Sequence, residues 1–521
     1  MSAPHRIPAR DVSLVELLRR AADDARTLSR PVLATFVEPL ATPELRPLDF
    51  FERAEDAEDR VYWARPGSGF AVAGIGAALT ISPSGSDRFI DAAREWRALV
   101  ADSICDGPGA TGADDGRYPG RRSSSPAHAS TFGRLPMLLG GFRFDPARSP
   151  APEWLGFPDC RLVVPRLCFT ASPGGAWLAS SALVHPGDDA ESVAAGVASV
   201  AAGVSGRGVV GEEDYEGGGR EMDSRFRGNE GGRGNDWDRG SDGLRGDAGR
   251  CSFMQAVSSG AAAVREGVLE KVVTARAVEW RPDVLPRVAD TLRRLERHHA
   301  ECMVFAVTRG GRTFLGASPE RLVKVEGRIV RVTSLAGSTA RGGDAAGDAD
   351  AATALLDSAK DREEHDIVVR ALTAGLAELC DAVSAPAVPA LLTLRDVHHL
   401  YTPITAHRHD DVEILQLVER LHPSPAVGGA PRQDALAFIR EHERWDRGWY
   451  ASPVGWLDAG GDGEFAVALR SALVDEAGGS ATLFAGCGIV GESVPEDEFM
   501  ESELKLRAMR NALADVEVDA S

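Results

Sequence analysis

Residues 206–250, GRGVVGEEDYEGGGREMDSRFRGNEGGRGNDWDRGSDGLRGDAGR, limit the folds open to this chain more than any other stretch. The segment is dense in Gly, Arg, Asp and Asn. It has too few apolar side chains to offset the conformational entropy that ordering would remove. Any packed core must form from the residues on either side of it. An arginine-glycine tract could bind RNA, but here acidic residues offset the arginines and aromatics are sparse. A tolerated surface insertion is the simpler reading.

Residues 1–205 mix helical segments such as DVSLVELLRRAADDARTL with extended ones such as GFAVAGIGAALTI, CRLVVPRLCFTA and AWLASSALV. A second Gly- and Ser-rich interruption falls at about 106–130. Residues 251–515 begin strand-rich and return to helix in DAATALLDSAKDREEHDIVVRALTAGLAEL. They then add the strands GEFAVALRSALVD and SATLFAGCGIV and close with the helix EDEFMESELKLRAMRNALADV. The expected class is therefore mixed α/β (α+β).

With 58 basic against 78 acidic residues, the net charge of −20 argues against nucleic acid or an anionic membrane as the main partner. A small anionic substrate would need a local cluster of cations or a metal. Seven scattered cysteines without CxxC spacing indicate neither a disulfide framework nor a zinc site, and they fit a reducing cytoplasm. Charges break the N-terminus before a signal sequence could form, and no apolar run reaches the roughly 18 residues of a membrane span.

Three constellations carry chemistry. In the closing helix, Glu498, Glu501 and Lys505 share a face with Ala508 and Ala512, so acids beside small residues would line a cavity. Glu364 lies in KDREEHDIVV, where charge gives way to an apolar run. Glutamates from two helices suit Mg²⁺, which takes oxygen ligands; solvated helix faces are the plainer alternative.

Lys271 opens the apolar strand of GVLEKVVTARAVEW, where desolvation would favour a neutral amine able to accept a proton. Glu320 follows the Ser-Pro turn of GASPERL, from which its carboxyl can enter a cleft as a general acid. A snorkelling lysine and a surface glutamate paired with Arg321 are the alternatives. Lastly, SLAGSTARG and LFAGCGIVG read as strand-end glycine loops able to cradle a carboxylate, and Arg470 in AVALRSALV reads as a lone cation in an apolar strand.

In order, KVVTAR, GASPERL, SLAGSTARG, KDREEHDIVV, HHLYTPI, LHPSPAVGGAPR, DRGWYASPVGW, GEFAVALRSA, FAGCGIV and ESELKL resemble the chorismate-utilising enzymes, and among them the isochorismate synthase branch. The resemblance spans about residues 252–513, with a weaker likeness at MLLGGFRFDP. It implies one large chorismate-binding domain with two mostly antiparallel central sheets, helices packed outside and a cleft between. Residues 1–205 would be its variable N-terminal part, 206–250 an insertion and 251–515 its catalytic core.

By that resemblance, Lys271 is the base that activates water and Glu320 the acid that protonates the departing C4 hydroxyl. Glu364 and Glu501 would hold Mg²⁺, with Glu498 as an outer helper. Arg470, Tyr450, Lys505, Gly486 and Gly488 would hold the substrate carboxylates; Gly337 and Ser338 lie in the LAGS block, and His399 near the ring. Cys487 departs from the alanine common at its position.

Lysine at 271, where ammonia-using relatives carry glutamine, implies water as nucleophile. Ala336 lacks the nucleophilic lysine of the aminodeoxychorismate branch. The alternative activity is salicylate synthase, against which LHPSPAV, with His422 and Pro425, argues; a binding protein acting through 206–250 on a degenerate core is a third reading. The expectation is a cytoplasmic monomer that needs no glutamine amidotransferase subunit and whose partner is chorismate.

Overall fold

The computed structural model describes residues 12–40, 45–107, 135–205 and 243–514; residues 108–130 and 206–242 of the two expected insertions lie outside them. The helix Gly243–Arg265 begins inside the Gly-rich tract. Phe253, Val257 and Ala261 bury one face of it against the core. Once that face is anchored, each added turn propagates at little cost.

Two sheets of the C-terminal half are antiparallel throughout. In the first, the spatial order is Met303–Arg309, Arg312–Ser318, Ser471–Asp475, Ser480–Ile489, Lys271–Trp280 and the short Gly429–Ala430. In the second it is Pro453–Asp458, Gly463–Val467, Arg321–Glu326, Ile329–Ala340 and Val397–Arg408, with Cys380–Ser384 and Ala390–Thr393 on the outer edge.

The N-terminal half supplies a third sheet that joins both. Val32–Leu40, Gly175–Val184, Cys160–Ser172, Phe70–Ile81 and Asp59–Arg65 lie side by side, and Ile104–Asp106 adds a parallel edge. Asp59–Arg65 pairs with Met303–Arg309, extending the first C-terminal sheet. Met137–Phe142 pairs with both Cys160–Ser172 and Pro453–Asp458, extending the second. Among the described residues, the two expected antiparallel sheets are thus limbs of one hydrogen-bonded network of 20 strands.

Two adjacent crossings carry the chain between the C-terminal sheets. Arg312–Ser318 belongs to the first sheet and Arg321–Glu326 to the second, so the turn holding Glu320 bridges them. Gly463–Val467 belongs to the second and Ser471–Asp475 to the first, so the bend holding Arg470 returns. The crossings brace each other: Ala317 N–H donates to the Arg470 carbonyl (3.1 Å), and Val467 N–H to the Glu320 carbonyl (3.0 Å).

This corrects two expectations. Arg470 lies outside any strand, in a left-handed conformation with φ 49°, because the strand pairing must end where the chain changes sheets. Nor do the two glycine segments form strand-end loops. Ile329–Ala340 runs through LAGS with a bulge between Leu335 and Ser338, and Gly337 takes φ 78° there. Ser480–Ile489 runs through GCG in regular register with Lys271–Trp280.

Among the described residues, no helix is long and apolar enough to cross a membrane.

Candidate active site

The crossings place Glu320 and Arg470 at the wall of an open cleft of about 720 Å3 between the two sheets. Of the residues singled out from the sequence, Gly337, Ser338, Glu364, His399, Tyr450, Gly486, Gly488, Glu501 and Lys505 line it too. Lys271 and Glu498 stand just behind the wall.

Lys271 points toward the cleft because side chains alternate along its strand. Val272 packs outward, its methyl 2.9 Å from where a Cβ on Gly260 of the neighbouring helix would lie, while Val273 lines the cleft on the side of Lys271. Lys271 is 1% exposed, and its Nζ meets Glu364 Oε1 at 2.8 Å. Glu364 reaches it from the helix Ala359–Ala377, which Ser358 caps by accepting from Asp361 N–H. Gly488 makes room for this pair.

Burial pushes the Glu320 carboxyl up to about 8, against the opposing pull of Lys271 and Lys505. Near pH 7 it is protonated and able to donate. Its backbone N–H donates to Ser318 Oγ (3.2 Å), and that hydroxyl donates in turn to the Val467 carbonyl (2.5 Å).

His399 is held in one tautomer. Arg470 Nη2 can only donate, so His399 Nε2 accepts from it at 3.2 Å, and Nδ1 carries the proton toward Ser338 Oγ at 2.8 Å. Burial, then Arg470 and Lys505, hold the imidazole well below its ordinary range, so it stays neutral. On the other side, Lys505 Nζ pairs with Glu501 Oε1 (2.6 Å) and donates to the Gly486 carbonyl (3.0 Å). The Arg470 and Lys505 charges thus favour an anion in this end of the cleft. The Tyr450 ring stacks on Phe484 at 5.2 Å, and a Cβ on Gly486 would lie 3.1 Å from the phenol oxygen.

The acids cluster on one side. The Glu498 and Glu501 carboxylates and the Cys487 thiol lie within 4.8 Å of one another. Burial, reinforced by Glu501, pushes Glu498 up to about 6. Lysines offset the three glutamates: Lys271 on Glu364, Lys505 on Glu501, and Lys360 on Glu498 at 3.1 Å. Crowded, partly desolvated carboxylates facing a cleft fit a hard divalent cation.

Two contributors escaped the sequence reading. Arg447 lines the cleft but directs its hydrogen bonds into protein: to Glu443, to the Val427 carbonyl and to the Val273 carbonyl, the latter two at 2.8 Å. Glu443 Oε1 also accepts from Ala275 N–H (2.8 Å), so the buried pair fixes the Lys271 strand. His365 donates from Nδ1 to the Ala336 carbonyl (3.1 Å) and accepts from Thr402 Oγ1 (2.8 Å), which fixes the bulge beside Gly337. Both lie in quoted blocks, DRGWYASPVGW and KDREEHDIVV, yet the backbone carbonyls they reach are distant in sequence and leave no local signal.

Comparison with known proteins gives a consistent placement. The chain is 38% identical over 501 residues to the salicylate biosynthesis isochorismate synthase of Pseudomonas aeruginosa, covering 95% of this chain and 93% of that one. It is 32% identical to an isochorismate synthase of Bacillus subtilis, over 95% and 96%. Its fold matches the menaquinone-specific isochorismate synthase of Escherichia coli with a TM-score of 0.67 at 22% identity, covering 95% of this chain and 99% of that one. Anthranilate synthase component I of Streptococcus pneumoniae has the same fold, with a TM-score of 0.56 at 18% identity, over 84% and 92%. The profile of the chorismate binding enzymes matches residues 18–118, 121–208 and 244–514, passing over most of the Gly-rich tract. The chain belongs to the chorismate binding enzyme family.

Proposed function

We propose that the protein is an isochorismate synthase, converting chorismate reversibly to isochorismate by attack of water at C2 and loss of the C4 hydroxyl. The observation that carries this reading is the pairing of opposite tools at one cleft: a buried lysine, Lys271, just behind its wall, and a buried carboxyl, Glu320, on the wall and pushed up to about 8. Water needs a base to attack, and hydroxide needs an acid to leave.

Lys271 Nζ is paired with Glu364; with Glu364 turned to the cation, Lys271 would lose its ion-pair proton to solvent and its free amine would take the proton of the attacking water. Glu320, protonated near neutrality, gives its proton to the departing oxygen. Arg470 and Lys505 hold the substrate carboxylates, and His399, neutral and fixed in tautomer, aligns the Arg470 guanidinium. Tyr450 and Phe484 wall the ring. Glu364 and Glu501, with Glu498 behind them, would hold Mg²⁺, which supplies positive charge to the ring carboxylate of the substrate. The reaction needs no second subunit to deliver ammonia, and we place it in the cytoplasm on net charge and cysteine usage.

Salicylate synthase is disfavoured, because the relatives that align along nearly the whole chain are named isochorismate synthases. Incubation with chorismate and Mg²⁺, followed by chromatographic resolution of products, tests the proposal. An equilibrium mixture of chorismate and isochorismate is expected. Accumulating salicylate and pyruvate would overturn it.

A further inference from the structure

Of the three lysines that face the acidic cluster, Lys360 alone has no task in the reaction proposed above. It stands in the first turn of the helix Ala359–Ala377, directly after the Ser358 cap and Ala359. A cation is disfavoured there, because the helix dipole places partial positive charge at that end. Its position therefore answers to something outside the helix. Glu364, four residues on, shares its face, so one helix sends a lysine and a glutamate into the same cluster. The Lys360 ammonium donates to Glu498 Oε1 at 3.1 Å, its one hydrogen-bond partner among the described residues, and the charges of Glu364 and Asp361 bear on it too.

The lysines differ in their freedom to move. Lys271 is 1% exposed and stays where it is. Lys505 is tied twice, to Glu501 and to the Gly486 carbonyl. The Lys360 side chain is 38% exposed and holds Glu498 alone. A dication among these acids repels every ammonium near it, and only Lys360 has a path to solvent with no second bond to lose. We propose that Lys360 is an intramolecular competitor of the divalent cation. Its ammonium holds Glu498 when no metal is bound and swings into solvent when one binds, so Lys360 lowers the affinity of the site and sets the concentration range over which Mg²⁺ fills it. One ion pair is exchanged for another, with no covalent step. The inference rests on the reading that Glu364, Glu501 and Glu498 hold the cation, and on no step of the reaction.

The test needs no substrate. Metal-free full-length protein is titrated with Mn²⁺, an oxygen-seeking ion that stands in for Mg²⁺, while the free ion is counted by electron paramagnetic resonance. The titration is run near pH 8, above the value of about 6 to which Glu498 is pushed, so that protons do not compete. Lys360→Met, which keeps the length and removes the charge, should bind Mn²⁺ about fivefold tighter than wild type, the upper end for an ion pair near a protein surface. Lys360→Gln is the second uncharged variant should methionine disturb folding. Lys360→Arg, which keeps the charge, should bind as wild type does. In chelator, Lys360→Met should melt below wild type, because Glu498 and Glu501 then repel each other with one cation fewer, and saturating Mn²⁺ should close that gap. A lysine that only pinned two helices together would lower the melting temperature and leave Mn²⁺ affinity unchanged. Unchanged or weaker binding in both uncharged variants, or equal tightening in Lys360→Arg, overturns the competition. Absence of saturable Mn²⁺ binding from wild type and variants alike overturns the metal reading itself, and the competition with it.

Discussion

Gly488 is a glycine because Glu364 occupies the space its side chain would need: a Cβ there would lie 2.2 Å from Glu364 Oε1 and 2.7 Å from Lys271 Cε. The proposed base and a proposed metal ligand therefore depend on the absence of one methyl group. Gly488→Ala should leave the fold intact by circular dichroism and lower chorismate turnover by about 100-fold, the loss typical of an ångström-scale misplacement.

Lys271→Ala and Glu320→Gln remove the two proposed proton-transfer groups. Each should lower kcat by about 10²–10⁴-fold. Chorismate binding, read by isothermal titration, should persist, because Arg470 and Lys505 remain. Full activity in either variant would take that residue out of the mechanism.

The Glu320 carboxyl also links activity and stability to pH. As the proposed acid it must carry its proton, so kcat should fall as pH rises through about 8. The folded protein holds this proton more tightly than the unfolded chain, whose carboxyl titrates near 4.5. Stability therefore declines as pH climbs from about 4.5 to about 8, because burying the charged form is unfavourable. Glu320→Gln, which cannot ionise, should unfold at a higher temperature than wild type at pH 8, with the gain shrinking toward pH 5 in calorimetry.

Chelation should abolish turnover and added Mg²⁺ restore it. Burial and Glu501 push Glu498 up to about 6, so protons compete with the cation on the acid side of that value. The Mg²⁺ concentration for half-maximal rate should rise as pH drops below about 6.

Arg447 and Glu443 are a buried ion pair, 3% and 4% exposed as residues, that ties the Lys271 strand to the loop at Val427. Arg447→Leu strands the Glu443 carboxylate in the interior. It should cost about 3–5 kcal/mol in urea unfolding, and activity should fall with it. Replacing both residues with apolar ones should recover part of the stability.

Much of this site is legible in the sequence because catalysis needs residue types that burial ordinarily excludes. A lysine heading a run of valines, and acids beside alanines on one helix face, are local contradictions that read without a structure. Arg470 shows the limit of that reading. Its apolar neighbours suggest a strand, and only the pairing partners of Gly463–Val467 and Ser471–Asp475 reveal that the chain changes sheets there. Likewise Gly486 and Gly488 read as a turn, whereas their lack of side chains serves atoms brought in from distant elements. Arg447, Glu443 and His365 act through backbone groups far away in the chain, which local pattern cannot announce.

The strands Asp59–Arg65 and Met137–Phe142 have a consequence for how the chain can be divided. Each closes one edge of a C-terminal sheet, so the halves on either side of residues 206–242 are partners in pairing rather than separable units. Residues 251–515 produced alone would present two raw strand edges to solvent and self-associate through them. Co-expressed with residues 1–205, the same fragment has its edges covered by the strands made for them. The enzyme is thus a candidate for split-protein complementation, in which recovered chorismate turnover reports that two separately tethered fragments have met.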